Sequence, residues 1–361
     1  MLRFLLCLLL WITCLHQPTQ AQPAGNWPSP EAEQLYQTAR NYLNNGNFAQ
    51  AIAAYQQAIQ LAPGKVVLYR DMAQALLLSG NTEQAEKVIN SILEKGRGDE
   101  GTYQIAASIQ GAYRKPKAAE RLLNEGLKKF PNSGLLYHEL GLLNEGQKWP
   151  AEALKNWLKG IAADPAYRVN YYEAARSYMA TSEFVWAIIY GEIFVNLERV
   201  TPRANETRKM LVNAYKRLYQ RPDPRNLPEF GKTKKEKNTD FISAVQQGLL
   251  QQAAVMTDGV NVENLIMARV RFLNQWQQSY ARRYPFALFN YWDDLLRKGF
   301  FDAYNQWLFA PVINAAEYNS WKTFHPDIMP AFEAYQQASP YTPQPRQAYN
   351  EGQVNKLFQK K

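Results

Sequence analysis

A pattern that recurs every 34 residues constrains the fold of this 361-residue chain more than any other feature. Counted from Ala32, frames begin at residues 32, 66, 100, 134 and 168, with no insertion between them. The eighth position of each frame is small (Ala39, Ala73, Ala107, Gly141, Ala175), and so is the twentieth (Ala51, Ala85, Ala119, Ala153, Ala187). Small residues at these positions let two helices pack closely. A repeat of this length is a helix pair that buries its apolar face only against its neighbours. The spacing therefore predicts stacked helix pairs.

Repeat one adds further residues at characteristic positions: Leu35, Tyr42, Gly46, Phe48, Tyr55, Ala58 and Pro63. With the 34-residue spacing, they resemble the tetratricopeptide repeat family over residues 31–200. The resemblance implies an all-α fold, in which a solenoid within residues 22–219 ends in a capping helix at 205–219 and a smaller helical C-terminal domain follows.

The family binds protein or peptide partners in a concave groove, which the resemblance assigns to the second, fifth, ninth and twelfth positions of each first helix. The residues at these positions include Tyr36, Arg40, Leu43, Arg70, Gln74, Leu77, Gln104, Ser108, His138, Leu142, Tyr172, Arg176 and Met179. Tyrosine and arginine anchor interfaces well. The Lys and Asn pattern of the family's carboxylate clamp is absent, which disfavours a chaperone-tail ligand. His138 is expected to be an exposed groove residue.

The first 21 residues read as a secretory signal peptide: Arg3 is followed by an apolar run from Phe4 to Leu15, and cleavage is expected after Ala21. Cys14 as a lipidation site is the alternative. Both cysteines lie in this segment, so the exported chain would have neither disulfides nor thiolate metal sites. The expected location is the periplasm or the outer membrane of a Gram-negative envelope.

The second half divides into a basic linker at 220–238, a helical domain at 239–338 and a mobile tail at 339–361. Helical periodicity predicts six helices in this domain, at 240–256, 261–283, 286–298, 300–309, 315–324 and 327–338. The fourth is expected to stop before Pro311. The dense aromatic residues between Trp276 and Phe324 have helical spacing and are expected to be core. The segments 264–272 and 301–309, with Trp292, resemble uncharacterised tetratricopeptide proteins of the Bacteroidetes group.

Arg269 lies in the middle of the apolar face of the second of these helices. A charge there needs a partner, because burying it alone is prohibitively unfavourable. We predict a structural ion pair with Asp293, and Asp302 is the next candidate. The alternative is an anion-binding arginine in a pocket.

No motif for catalysis or cofactor binding is present: neither a phosphate loop nor a Gly-x-Ser-x-Gly elbow occurs, and the adjacent Asp293 and Asp294 point about 100° apart on a helix. The net charge of +9 lies almost wholly in residues 201–361. We therefore expect a non-enzymatic scaffold without cofactors that binds a protein or peptide in an envelope assembly. The alternative is a structural protein whose basic half docks on an anionic membrane or on cell-wall polymer, with nucleic acid the least expected partner.

Overall fold

The computed structural model describes residues 27–220 and 240–350, and in these ranges the chain forms helices and no strands. The expected signal peptide with Cys14, nearly all of the expected linker and residues 351–361 lie outside the described ranges. Within them, no helix is both long enough and apolar enough to cross a lipid bilayer. The chain divides into two compact units, residues 1–149 (unit 1) and 150–361 (unit 2).

Unit 1 consists of consecutive helices that form the first three repeats and open the fourth. They are α1 (Pro30–Asn44), α2 (Phe48–Leu61), α3 (Val66–Leu78), α4 (Thr82–Glu94), α5 (Glu100–Ala112), α6 (Pro116–Lys129) and α7 (Gly134–Gly146).

Unit 2 completes the fourth repeat, adds the fifth and continues into the C-terminal helices. Its helices are α8 (Pro150–Ala163), α9 (Val169–Met179), α10 (Phe184–Leu197), α11 (Pro202–Tyr219), α12 (Phe241–Leu250), α13 (Val262–Ser279), α14 (Ala287–Arg297), α15 (Phe301–Ile313), α16 (Ala315–Phe324) and α17 (Ile328–Ala338). A 3₁₀ turn at Ala253–Met256 follows α12.

Local capping explains why several first helices begin where the frames predict. The Ser29 side chain accepts a hydrogen bond from the Ala32 amide, and Pro30 opens α1. Asp99 and Thr102 form a reciprocal capping box at the start of α5. The small residues at the eighth and twentieth positions are all buried, as the close approach of paired helices requires.

The fifth repeat shares one hydrophobic core with the C-terminal helices, a core that extends from Leu154 to Tyr341. Helix α10 is buried on every side from Val185 to Asn196, so neighbouring repeat helices alone cannot cover it. Helix α11 packs on both α10 and α15, where Tyr215 meets Phe309 edge to face at 5.8 Å. It thus joins the repeats to the C-terminal helices. The compact units divide between Trp149 and Pro150, inside repeat four, rather than at the expected linker.

The C-terminal helices follow the sequence pattern closely, with two differences. Helix α12 ends at Leu250, and the rest of the expected helix is the 3₁₀ turn. Helix α15 continues through Pro311 to Ile313, although it was expected to stop before the proline. Only Val312 and Ile313 follow Pro311 in the helix. The Asn314 amide donates a hydrogen bond to the Ala310 carbonyl at 3.0 Å and so caps the helix end.

The described part of the expected mobile tail packs on unit 2. Tyr341 is buried, and Tyr349 stacks on Phe241 with ring centroids 4.5 Å apart. The sequence interpretation took the Pro- and Gln-rich composition as a sign of mobility. The two tyrosines supply aromatic surface that the core of unit 2 buries.

Candidate functional site

In repeats one and three, the side chain at the fifth position of the first helix bonds to the next repeat. The Tyr36 hydroxyl donates to Asp71 Oδ2 at 3.1 Å, and Gln104 Nε2 donates to Glu139 Oε1 at 2.9 Å. Both acceptors occupy the sixth position of the following frame. Burial raises the pKa of Tyr36 above its ordinary value, and the charge of Asp71 raises it further. Tyr36 is therefore a link between repeats one and two, and its hydroxyl stays protonated.

Arg70 at the fifth position of repeat two is held by two carboxylates. Its guanidinium contacts Asp71 at 2.9 Å and Asp99 at 2.7 Å. Asp99 also caps α5, so the arginine ties repeat two to the start of repeat three. The charge of Arg70 is thus balanced by carboxylates of the chain itself.

His138 is a clear correction to the sequence interpretation. It was expected to be exposed in the groove, but its residue exposure is 3%, and its Nδ1 lies 3.5 Å from Glu139 Oε1. The packing of α7 buries it beside a carboxylate that also accepts from Gln104. His138 is therefore a buried residue of α7 rather than part of a binding surface.

The ninth and twelfth positions of unit 1 keep partial exposure, and we call them the first-helix strip: Arg40, Leu43, Gln74, Leu77, Ser108 and Leu142. The first helices of successive repeats contact one another, so these positions follow one another from repeat to repeat. Apolar leucines alternate with polar groups, and the Arg40 guanidinium lies 5.7 Å from the Tyr36 ring centroid. The strip combines apolar area with hydrogen-bonding groups, which is the composition of a protein interface.

The three expected groove residues of repeat five lie in unit 2 and are largely used internally. Tyr172 donates to Glu206 Oε2 at 3.0 Å, and Arg176 pairs with Glu173 at 2.7 Å. Met179 packs against the core of the unit. The fifth position of this repeat, Tyr172, thus bonds to α11, the helix that follows the repeat.

Arg269 forms a buried ion pair, but its partner is Glu192 on α10 and not Asp293. Both side chains are 0% exposed. Asp293 pairs instead with Arg297, one turn along α14, at the surface. Asp302, the other candidate, is exposed. Glu192 is the only charged residue in α10, and a lone carboxylate in an otherwise apolar helix was the sequence signal that could have identified it.

Three donors converge on the same oxygen of Glu192. Arg269 Nη2, Trp292 Nε1 at 2.7 Å and the Tyr304 hydroxyl at 2.6 Å all donate to Oε1. The Arg269 guanidinium carbon lies 4.0 Å from the Trp292 ring centroid, so the cation is also covered by an aromatic face. Burial raises the pKa of Glu192, and the charge of Arg269 opposes that shift. This cluster connects α10, α13, α14 and α15 at the centre of unit 2.

In the described ranges, no group of three or more His, Cys, Asp or Glu side chains is arranged to hold a metal ion.

Comparison with known proteins agrees with the repeat pattern. Residues 42–109 match the sequence profile of the tetratricopeptide repeat. Protein O-mannosyl-transferase TMTC1 from Homo sapiens is 28% identical over 110 residues, which are 30% of this chain and 12% of that protein. The chain thus spans a small part of this relative's length.

Similar solved structures include pilF from Pseudomonas aeruginosa, at 17% identity and a TM-score of 0.41, with 54% of this chain and 92% of that chain covered. The C-terminal part of a TPR repeat-containing protein from Cytophaga hutchinsonii has 13% identity and a TM-score of 0.39, with 68% and 94% covered. The tetratricopeptide repeat profile thus matches part of the repeat region, and the described ranges form an all-α fold. Proteins with such repeats generally bind protein or peptide partners.

Proposed function

We propose that the protein is a non-enzymatic scaffold of the bacterial cell envelope, and that it holds a protein or peptide partner on the first-helix strip. One observation carries this proposal. In repeats one to three the fifth-position side chains bond towards the next repeat, whereas the residues of the first-helix strip keep partial exposure on first helices that contact one another in succession. The partner is expected to supply apolar side chains to Leu43, Leu77 and Leu142.

The rigid fifth-position links support the proposal, because a row of contacts needs fixed spacing. The bonds from Tyr36 to Asp71 and from Gln104 to Glu139 set the distance between neighbouring first helices. A preformed surface loses less conformational entropy on binding than a mobile one. The strip is thus supported by residues that the sequence interpretation had placed in direct contact with the ligand.

Site-specific photo-crosslinking in intact cells tests the strip. A photoreactive residue in place of Gln74 is expected to crosslink to one partner protein. The same photoreactive residue in place of Lys87 on α4 is the control. The Lys87 side chain is 72% exposed and pairs only along its own helix with Glu83. A second substitution, Leu77→Asp, should abolish capture from position 74. Equal capture from both positions, or capture that survives Leu77→Asp, would contradict the proposal.

The envelope location is tested separately. Cell fractionation with N-terminal sequencing is expected to recover a chain that begins at Gln22 from the periplasm or the outer membrane. Recovery of the uncut chain in the cytoplasm would contradict the proposed location. Binding to anionic vesicles that disappears at moderate salt, without partner capture at position 74, would favour docking through the basic half instead.

A further inference from the structure

Residues 341–350 cross the surface of unit 2 without helical structure, and we call this segment the strap. Pro343 and Pro345 lie within it, and Pro340 precedes it. In the described ranges, no backbone–backbone hydrogen bond joins the strap to the rest of the chain. Side chains hold it in place instead.

An aromatic socket receives Tyr349 of the strap. Its ring stacks on Phe241 at 4.5 Å between centroids, meets Tyr284 edge to face at 5.7 Å and lies 6.1 Å from Phe286. The Tyr349 hydroxyl donates to the Pro285 carbonyl at 2.8 Å. The socket therefore recognises both the ring and the hydroxyl of a tyrosine.

A second contact fixes the position of the strap along the socket. Gln347 Oε1 accepts a hydrogen bond from the Ala287 amide at 2.6 Å, at the first residue of α14. The amides at a helix start have no partner within the helix, so a side-chain oxygen from outside satisfies one of them. Gln347 and Tyr349 are two residues apart, and together they define a Gln-x-Tyr contact pattern.

The backbone of the strap is strained where it enters the socket. Arg346 has a φ of 65° and Tyr349 a φ of 46°, both in the left-handed region that residues with a side chain rarely adopt. Strain of this kind persists only where surrounding contacts hold it. The contacts of Gln347 and Tyr349 must therefore be strong enough to hold a bulky aromatic residue in this conformation.

We propose that the socket is a binding site for proline-containing peptides that present a Gln-x-Tyr pattern on a turned backbone, and that the strap occupies it as an intramolecular ligand. Proline restricts the unbound chain, so a proline-containing segment loses less entropy when it docks. The covalent tether gives the strap a high effective concentration, which keeps weaker competitors out. A partner with the same pattern gains access when it outcompetes the strap. This site lies wholly within unit 2 and is independent of the first-helix strip.

The test measures binding of a fluorescent peptide with the sequence of residues 341–350 to the full chain by fluorescence anisotropy. The double variant Gln347→Ala/Tyr349→Ala empties the socket and is expected to bind the peptide at least about tenfold more tightly than the wild type. The control variant is Gln344→Ala, since Gln344 is exposed and its side chain bonds, among the described residues, to the Thr342 carbonyl within the strap. It should behave as the wild type does.

A peptide with alanine in place of its tyrosine at position 349 should bind the double variant at least about tenfold more weakly than the native peptide. Equal binding of the native peptide by the wild type and the double variant overturns the proposal. Equal binding of the native and alanine peptides by the double variant overturns it as well. If circular dichroism shows that the double variant has lost its helices, the single variant Gln347→Ala takes its place in the same comparison.

Discussion

Removing the charge of Arg269 should destabilise unit 2 more than any surface substitution. Glu192 would remain as a carboxylate with 0% side-chain exposure and no opposing charge. Breaking a buried pair in this way costs about 3–5 kcal/mol. Trp292 and Tyr304 would still donate to Glu192 Oε1, which places Arg269→Met towards the lower end of that range.

The matched control is Arg297→Met on α14. Arg297 also pairs with a carboxylate, Asp293, but its side chain is 75% exposed. Exposed pairs contribute about 0–1 kcal/mol, because solvent screens them. The two variants thus remove the same kind of charge from a buried and an exposed pair of one unit.

Urea unfolding followed by tryptophan fluorescence measures both losses, since Trp186, Trp276 and Trp292 are buried in unit 2. The double variant Glu192→Gln/Arg269→Met should lose at least about 1 kcal/mol less than the sum of the two single variants, because neither buried charge is then left alone. A loss for Arg269→Met no larger than that for Arg297→Met would refute the reasoning. Additive losses in the double variant would refute the coupling.

Three further predictions concern stability. Gly126→Ala should destabilise unit 1 by about 1–2 kcal/mol in urea unfolding, because the added methyl group would meet a leucine and a tyrosine side chain at 2.9 Å. The control is Gly146→Ala, which should not destabilise the unit because the space around Gly146 is open. Tyr36→Phe should cost about 1 kcal/mol through the lost bond to Asp71, and an unchanged urea midpoint would show that this link is unimportant. Burial raises the pKa of Glu192, so in the interval between the unfolded and the native pKa the native state holds more protons at this carboxyl, and above that interval Glu192 is the ionised partner of Arg269. The free energy of unfolding should therefore fall as pH rises through that interval and level off above it, and Glu192→Gln should remove that slope.

The repeat helices could be predicted from the sequence, because their determinants are local or recur at a fixed interval. Small residues at the eighth and twentieth positions mark each helix contact, and side chains such as Ser29 and Asp99 mark the helix starts. The frames at 66, 100 and 134 coincide with the first residues of α3, α5 and α7. Because the same small residues must be buried in helix contacts in all five repeats, few other folds suit the sequence.

The roles of individual polar residues depended on tertiary structure. The repeat frame predicted where Tyr36 and His138 lie, but not that neighbouring carboxylates and helices would bury them. The sequence showed that Arg269 needed a partner. Which carboxylate pairs with it depended on how α10 and α13 pack, and Glu192 lies 77 positions away in the chain. Sequence spacing determines which residues share a helix face, whereas the pairing of charges depends on distances that only the packed helices define.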